Sequence, residues 1–249
     1  MTESESVNNL LLVGKEAGLW SRGIDFPVRA RQLFGDIDLR GKRVLEVGCG
    51  RGEFCLWAGV HGASRAVGLE PRSDGFYDAA NYLEQFRKLA ARLDLSGVEI
   101  EPKKLQEHEA PDGSYDLVLS VASINHVDEP ACARLHEDTQ ARAAFSRIFT
   151  DLARIMARGG KVVIIDAMRR NLFGDLGLRS PFNPAVTWGK HQQPHLWADL
   201  FSGIGFTAPR ITYLGNRFFR YAGIPRIPRS LSYCSDSLFR LEMTLGGRP

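Results

Sequence analysis

The sequence has little of several things, and each scarcity narrows its role. Four cysteines occur in 249 residues, and only Cys49 and Cys55 lie near one another. None has the spacing of metal ligands, so no metal site is expected, and a reduced, cytoplasmic chain is the simplest reading. No apolar run approaches the roughly 20 residues of a membrane-spanning helix. The opening Met-Thr-Glu-Ser-Glu-Ser is acidic and polar, unlike a secretory signal. There is no internal repeat and no low-complexity block. The net charge is only +3, so the chain as a whole does not demand nucleic acid. That charge is uneven, however. From Pro209 onward seven arginines stand against Asp236 and Glu242. The segment reads either as a solvated tail or as a surface for an anionic substrate or lipid.

What remains is an ordinary globular composition with strand-like and helix-like segments in alternation. The most informative run is Arg43 to Phe54. An apolar strand containing Val44, Leu45 and Val47 carries Glu46 and ends in Gly48, Gly50 and Gly52. A helix-like stretch over 53–60 follows. Glycines let bare backbone approach a ligand, and a helix N-terminus offers free N–H groups. This is a nucleotide-type cofactor loop, and Cys49 lies inside it.

Ala66 to Glu70 reads as a second strand stopped by Pro71, and 98–100 as a third. Phe76 to Leu93 has helical periodicity. Tyr115 to Val121 is apolar on both faces, as a central parallel strand is. A helical stripe from Ala144 to Met156 ends at Gly159-Gly160, and Lys161 to Asp166 is the fifth strand. Residues 168–192 read as a polar and aromatic loop. A helix starts near Pro194, and Ile211–Leu214 and Ser237–Leu245 are the last strands. The expectation is one α/β domain over 1–249, a doubly wound, Rossmann-like, mostly parallel seven-stranded sheet. Helices cover both faces, and the last strand is antiparallel. Its parts are an N-terminal helical or lid segment (1–40), a cofactor-binding core (41–167) and substrate-side loops with closing strands (168–249).

A glycine loop alone also fits a nicotinamide dehydrogenase. Glu46 before the loop, Glu70 ending the second strand, Ser114-Tyr-Asp-Leu-Val-Leu-Ser120 and Ala157-Arg-Gly-Gly-Lys-Val-Val-Ile-Ile-Asp166 follow in order. Over Gly41 to Asp166 this combination closely resembles the class I S-adenosylmethionine-dependent methyltransferases. The resemblance implies S-adenosylmethionine as cofactor and S-adenosylhomocysteine as product. Gly48, Cys49, Gly50 and Gly52 would pass under its methionine and ribose portion, with Glu46 orienting the loop and the amino acid end. Glu70, with Pro71 beside it, would hold the ribose, and Ser120 would contact the methionine group. Family members often carry an acid where this chain has Lys104, beside Leu105. Adenine would then be held by backbone and apolar contact.

For the acceptor, His126 is the first candidate base, because imidazole titrates near neutral pH, and His191 is the second. Trp20, Asn125 and Trp188 are candidate substrate contacts. Trp20 belongs to an N-terminal group with Arg22, Phe26, Arg29 and Arg31, which forms either a lid or an ordinary packing helix. His191 and His195 are four apart, but Pro194 interrupts a helix between them and no third metal ligand is evident. The favoured reading is a methyltransferase acting on oxygen, or nitrogen, of a small molecule such as a natural-product intermediate or a sugar. No Asn-Pro-Pro-Tyr-like run follows the fourth strand, which disfavours nucleic-acid bases. The alternatives are a methyltransferase for RNA or protein, and a non-catalytic, cofactor-binding scaffold. Oligomeric state is not readable.

Overall fold

A computed structural model of the chain describes residues 3–20, 25–71 and 79–246. The first half runs α1 (Glu3–Glu16), α2 (Asp25–Phe34), β1 (Arg43–Val47), α3 (Glu53–Val60), β2 (Arg65–Leu69), α4 (Ala79–Arg92), β3 (Val98–Glu101) and β4 (Tyr115–Val121). Then come α5 (Glu129–Arg134), α6 (Thr139–Ile155), β5 (Met156–Ala167), α7 (Leu172–Asp175) and α8 (Pro194–Ser202). β6 (Phe206–Tyr213), α9 (Arg217–Tyr221), α10 (Arg229–Tyr233) and β7 (Leu238–Leu245) complete the order.

The seven strands form one sheet in the order β3-β2-β1-β4-β5-β7-β6. Strands β1 to β5 pair in parallel, and β7 is antiparallel to both of its neighbours. This is the doubly wound, mostly parallel fold that the sequence implied. The central strands bury both faces, which explains why apolar side chains occur on both. Val44, Leu117 and Val163 pack with α1 to α4 on one side. Leu45, Val118, Val162 and Ile164 pack with α5, α6 and α8 on the other, where Phe149 stacks on Phe201. Local signals start the helices. The Asp138 carboxylate accepts from Gln140 N and Ala141 N at the head of α6, and Asp128 does the same for α5 through Ala131 N.

Several boundaries differ from the sequence reading. Helix α6 stops at Ile155, and the strand starts at Met156, so Gly159-Gly160 lies inside the strand. Gly159 takes a φ of 73°, a left-handed bend that a glycine permits within an extended run. The stretch after Asp166 is not only loop, since it holds α7 and a 3-10 turn at Trp188–Lys190. The arginine-rich connection likewise folds into α9 and α10. Arg22, Phe76, Tyr77 and Arg248 lie outside the described residues.

The N-terminal helices pack on the sheet. Phe26 stacks on Trp20 at 4.4 Å and meets Trp57 edge-on at 5.6 Å. At the far end, buried Asn171 joins the chain after β5 to the chain before β7. Its Nδ2 donates to Tyr233 O, Ser235 O and Ser237 Oγ at 2.7–3.0 Å. Asn171→Ala strands these buried acceptors and is expected to cost about 2–3 kcal/mol, read as a lowered denaturant midpoint. A midpoint equal to that of the unaltered chain would show that the clamp carries no stability.

Candidate active site

The carboxyl ends of β1, β2 and β4 surround a cavity of about 1030 Å³. This is the edge at which open α/β sheets bind ligands. Glu46, Gly48, Cys49, Gly50, Glu70 and Pro71 line it from the first two strands and their loops. Lys104, Leu105 and His126 line it from the chain after β3 and β4. Most of the candidate cofactor residues named from the sequence thus line one cavity.

The glycine loop is fixed from below. Gly48 N and Cys49 N donate to Leu69 O at the end of β2, at 2.9 and 3.0 Å. A Cβ at Gly48 would lie 2.3 Å from Ser123 Cβ, and one at Gly52 would lie 2.4 Å from a Phe86 ring carbon. All three loop glycines have positive φ. A Cβ at Gly50, by contrast, would meet nothing within 4 Å. Two glycines make room for protein, and one keeps backbone bare toward the cavity. Gly50 N donates to Glu70 Oε2 at 2.7 Å, which ties the carboxylate to the loop it would serve.

The electrostatics set the acids apart. Glu46 points toward α3, buried, with Cys55 Sγ donating to it at 3.1 Å. Burial pushes its carboxyl up to about 8. Burial also raises the Glu70 carboxyl, against the opposing pull of Gly50 N–H and His126. Burial keeps the Cys49 thiol well above the usual range, so it stays neutral rather than nucleophilic.

On the wall after β4, His126 Nδ1 lies 3.3 Å from Glu129 Oε2. The other Glu129 oxygen pairs with Lys190, and this partner holds the Glu129 carboxyl below its usual range. Ala122, at the end of β4, has a φ of 52°, and its N–H donates to Ile165 O at 2.7 Å. A strained non-glycine residue at a cavity wall is a frequent mark of a functional site.

The remaining sequence candidates lie off the cavity lining. Gly52 caps α3 below the loop. Ser120 and Asn125 are buried beside it, with Ser120 Oγ and Asn125 Oδ1 unpartnered. Trp20 is buried against Phe26 in the core, and Trp188 packs over Gly174. His191 Nδ1 is 3.1 Å from Asp166 Oδ1 in a partly buried pair, next to the lining residue Lys190. Arg29, named in the sequence only as part of the N-terminal lid or packing group, lines the cavity, as do Arg51, Ser123, Glu129 and Lys190, which were not among the candidates. Arg51 lies within the glycine loop, and Ser123 and Glu129 stand three residues before and after His126, so these three had a local signal. Arg29 and Lys190 arrive from distant chain. Arg51 also donates to Ala17 O and Gly18 O, which fastens the N-terminal turn to the glycine loop. Among the described residues no three His, Cys, Asp or Glu side chains gather as a metal site.

Comparison with known proteins matches this geometry. A family model described as a methyltransferase domain matches residues 19–209. A ubiquinone biosynthesis O-methyltransferase of Neisseria meningitidis serogroup C is 34% identical over 115 residues, covering 44% of this chain and 45% of that protein. A fatty-acid O-methyltransferase of Mycolicibacterium smegmatis is 29% identical over 134 residues, covering 53% and 40% respectively. The chain thus spans less than half the length of these two relatives. Among solved structures, a geranyl diphosphate C-methyltransferase from Streptomyces coelicolor superposes with a TM-score of 0.61 at 15% identity, covering 88% of this chain and 79% of that one.

Proposed function

The chain belongs to the methyltransferase-domain family, with S-adenosylmethionine as its cofactor, and on that premise we propose that it methylates an oxygen of a small organic acceptor. The observation that carries this reading is His126 on the cavity wall, backed by Glu129. The cofactor supplies a methyl group already activated on a sulfonium. A thiolate or a neutral amine needs less help, whereas a hydroxyl gains from a base that takes its proton. The two curated relatives are O-methyltransferases, which supports oxygen over nitrogen.

The residues fit the cofactor. Gly48 and Gly50 would carry the methionine end, Glu46 would meet its ammonium, and Glu70 would accept from the ribose hydroxyls. One drug-sized ligand fills a pocket of about 300–1,000 Å³. The cavity, at about 1030 Å³, has space for an acceptor beside the cofactor. His126 would take the acceptor proton at a ring nitrogen, and Glu129 would hold the imidazole and stabilise its charged form. Holding acceptor and donor side by side in this open cleft would supply positioning.

The test is methyl transfer from labelled S-adenosylmethionine to a panel of phenols, carboxylic acids and amines. Labelled ethers or esters are the expected products, and labelled amines alone would overturn the oxygen assignment. A binding test is independent of acceptor. Gly48→Ala is expected to weaken S-adenosylhomocysteine by roughly 10–100-fold in calorimetry, from a left-handed φ and overlap with Ser123. Adding Ser123→Gly should restore part of that loss, because it removes the overlapping Cβ and leaves the φ strain. Unchanged affinity in Gly48→Ala would mean that the loop does not seat the cofactor.

A further inference from the structure

Eight large apolar side chains are exposed among the described residues, and seven of them come from two short stretches. Leu176, Leu178 and Phe182 follow β5, and Phe218, Tyr221, Ile224 and Leu231 lie between β6 and β7. The stretches form one surface. The Phe182 ring is 6.0 Å from Phe173 and 6.4 Å from Phe218, both edge-on. Tyr233 OH donates to Asp175 at 2.8 Å, and Asn171 clamps the two stretches together. A cluster of this kind on a water-exposed face marks an interaction site.

The same stretches concentrate the chain's charge. Residues 170–182 and 214–236 hold six arginines and two aspartates, a net +4 in a chain of net +3. Arg226 and Arg229 are exposed. Within this surface lies a second cavity, of about 570 Å³, lined by Met168, Arg170, Gln193, Arg229, Ser230 and Tyr233. Gln193 Oε1 is buried there with no partner. Arginines beside a hydroxyl and a spare carbonyl suit a phosphate that carries a hydroxylated group.

The topology fixes where this surface points. The first stretch leaves the carboxyl end of β5. Strand β6 runs in the same direction as β5, and β7 runs against both, so the connection from Tyr213 to Leu238 emerges at that same edge. It is the edge on which the large cavity opens, and Lys190, which lines that cavity, lies on the chain that continues from the first stretch.

We propose that this face docks on an anionic phospholipid bilayer, with arginines at the headgroups and the apolar side chains entering the interface. Arginine stems and rings suit the boundary between water and acyl chain. A protein partner would need an acidic counterpart of matching shape, for which nothing argues. RNA is the other polyanion, and Phe182, Phe218 and Tyr221 would offer its bases rings, but the larger aliphatic share of the patch, Leu176, Leu178, Ile224 and Leu231, gains nothing from stacking. Aliphatic side chains gain from acyl chains instead. The docking concerns this surface alone and holds for any methyl acceptor.

Co-sedimentation of the full chain tests it, with vesicles of phosphatidylcholine alone and of phosphatidylcholine mixed with phosphatidylglycerol. Binding is expected to the mixed vesicles only, and to weaken with salt. Each surface arginine should contribute about fivefold, so Arg226→Ala with Arg229→Ala lowers partitioning by about 25-fold. Phe218→Ser with Leu231→Ser should lower it at least about tenfold. All variants should bind S-adenosylhomocysteine like the unaltered chain, which separates docking from folding. Absence of binding to mixed vesicles would overturn the proposal, as would equal binding to neutral ones. So would variants that bind like the unaltered chain, or an RNA competitor that strips the protein from vesicles by the same arginines.

Discussion

Replacing His126 with alanine is expected to lower kcat by about 10²–10⁴, the range for losing a general base. His126 reaches the cavity from the short turn after β4, the strand that ends beneath the acceptor side. Its Nδ1 faces Glu129, and Lys190 occupies the second Glu129 oxygen. The lysine keeps that carboxylate ionised to lower pH than usual, so a charge stands ready to stabilise the protonated imidazole. Glu129→Gln keeps the shape and removes the charge, and should cost about tenfold in kcat with a shifted pH profile. S-adenosylhomocysteine affinity should hold within about threefold in both variants, since the loop glycines and Glu70 are untouched. Near-normal turnover in His126→Ala would remove the base from the mechanism. Attention would then pass to His191, which Asp166 orients.

The second large effect concerns Glu46 and pH. An ordinary glutamate titrates near 4.5, and this one titrates at about 8 because burial disfavours its charge. Between those values the folded chain holds a proton that the unfolded chain has released. Stability from this group therefore falls as pH rises through 4.5 to 8 and is flat above that window. At about 1.4 kcal/mol per pH unit, the deficit at neutral pH is on the order of 3 kcal/mol. Glu46→Gln removes the titration, so its stability relative to the unaltered chain in chemical denaturation should rise by about 2–3 kcal/mol between pH 5 and pH 7. Parallel stability curves for the two proteins across this range would refute the buried proton. The same variant should bind cofactor more weakly. An ammonium seated on Glu46, as proposed, would ionise the carboxyl, so about one proton should be released on cofactor binding at neutral pH, measurable by titration in buffers of different ionisation enthalpy.

These two residues show which parts of the protein could be read from its sequence. The alternation of strands and helices and the loop at Gly48 to Gly52 were legible because periodicity and backbone geometry are local. Glu70 was legible because it ends a strand beside the loop. Gly159-Gly160 misled, since a glycine pair marks a break in either helix or strand and here bends a strand. Trp20 looked like a ligand contact by residue type, and only packing shows that it is buried in the core, stacked on Phe26. Lys190 could not be found at all. It meets Glu129 across sixty residues of sequence, and nothing local announces that meeting. His126 and His191 were both visible as imidazoles, but only the folded chain places the first on the cavity wall and the second against Asp166.

The position of β7 bears on how the molecule assembles. This strand sits between β5 and β6, and β6 has no other partner in the sheet. Until the last strand is in place, β5 presents an unpaired edge and β6 has nowhere to attach. The pairings run from Lys161 with Thr244 to Ala167 with Leu238, across most of the second half of the chain. During synthesis the parallel strands β1 to β5 can assemble while an apolar edge waits for its cover. Closure of long loops of this kind is slow, and the waiting edge is the point at which a nascent chain is most exposed to aggregation.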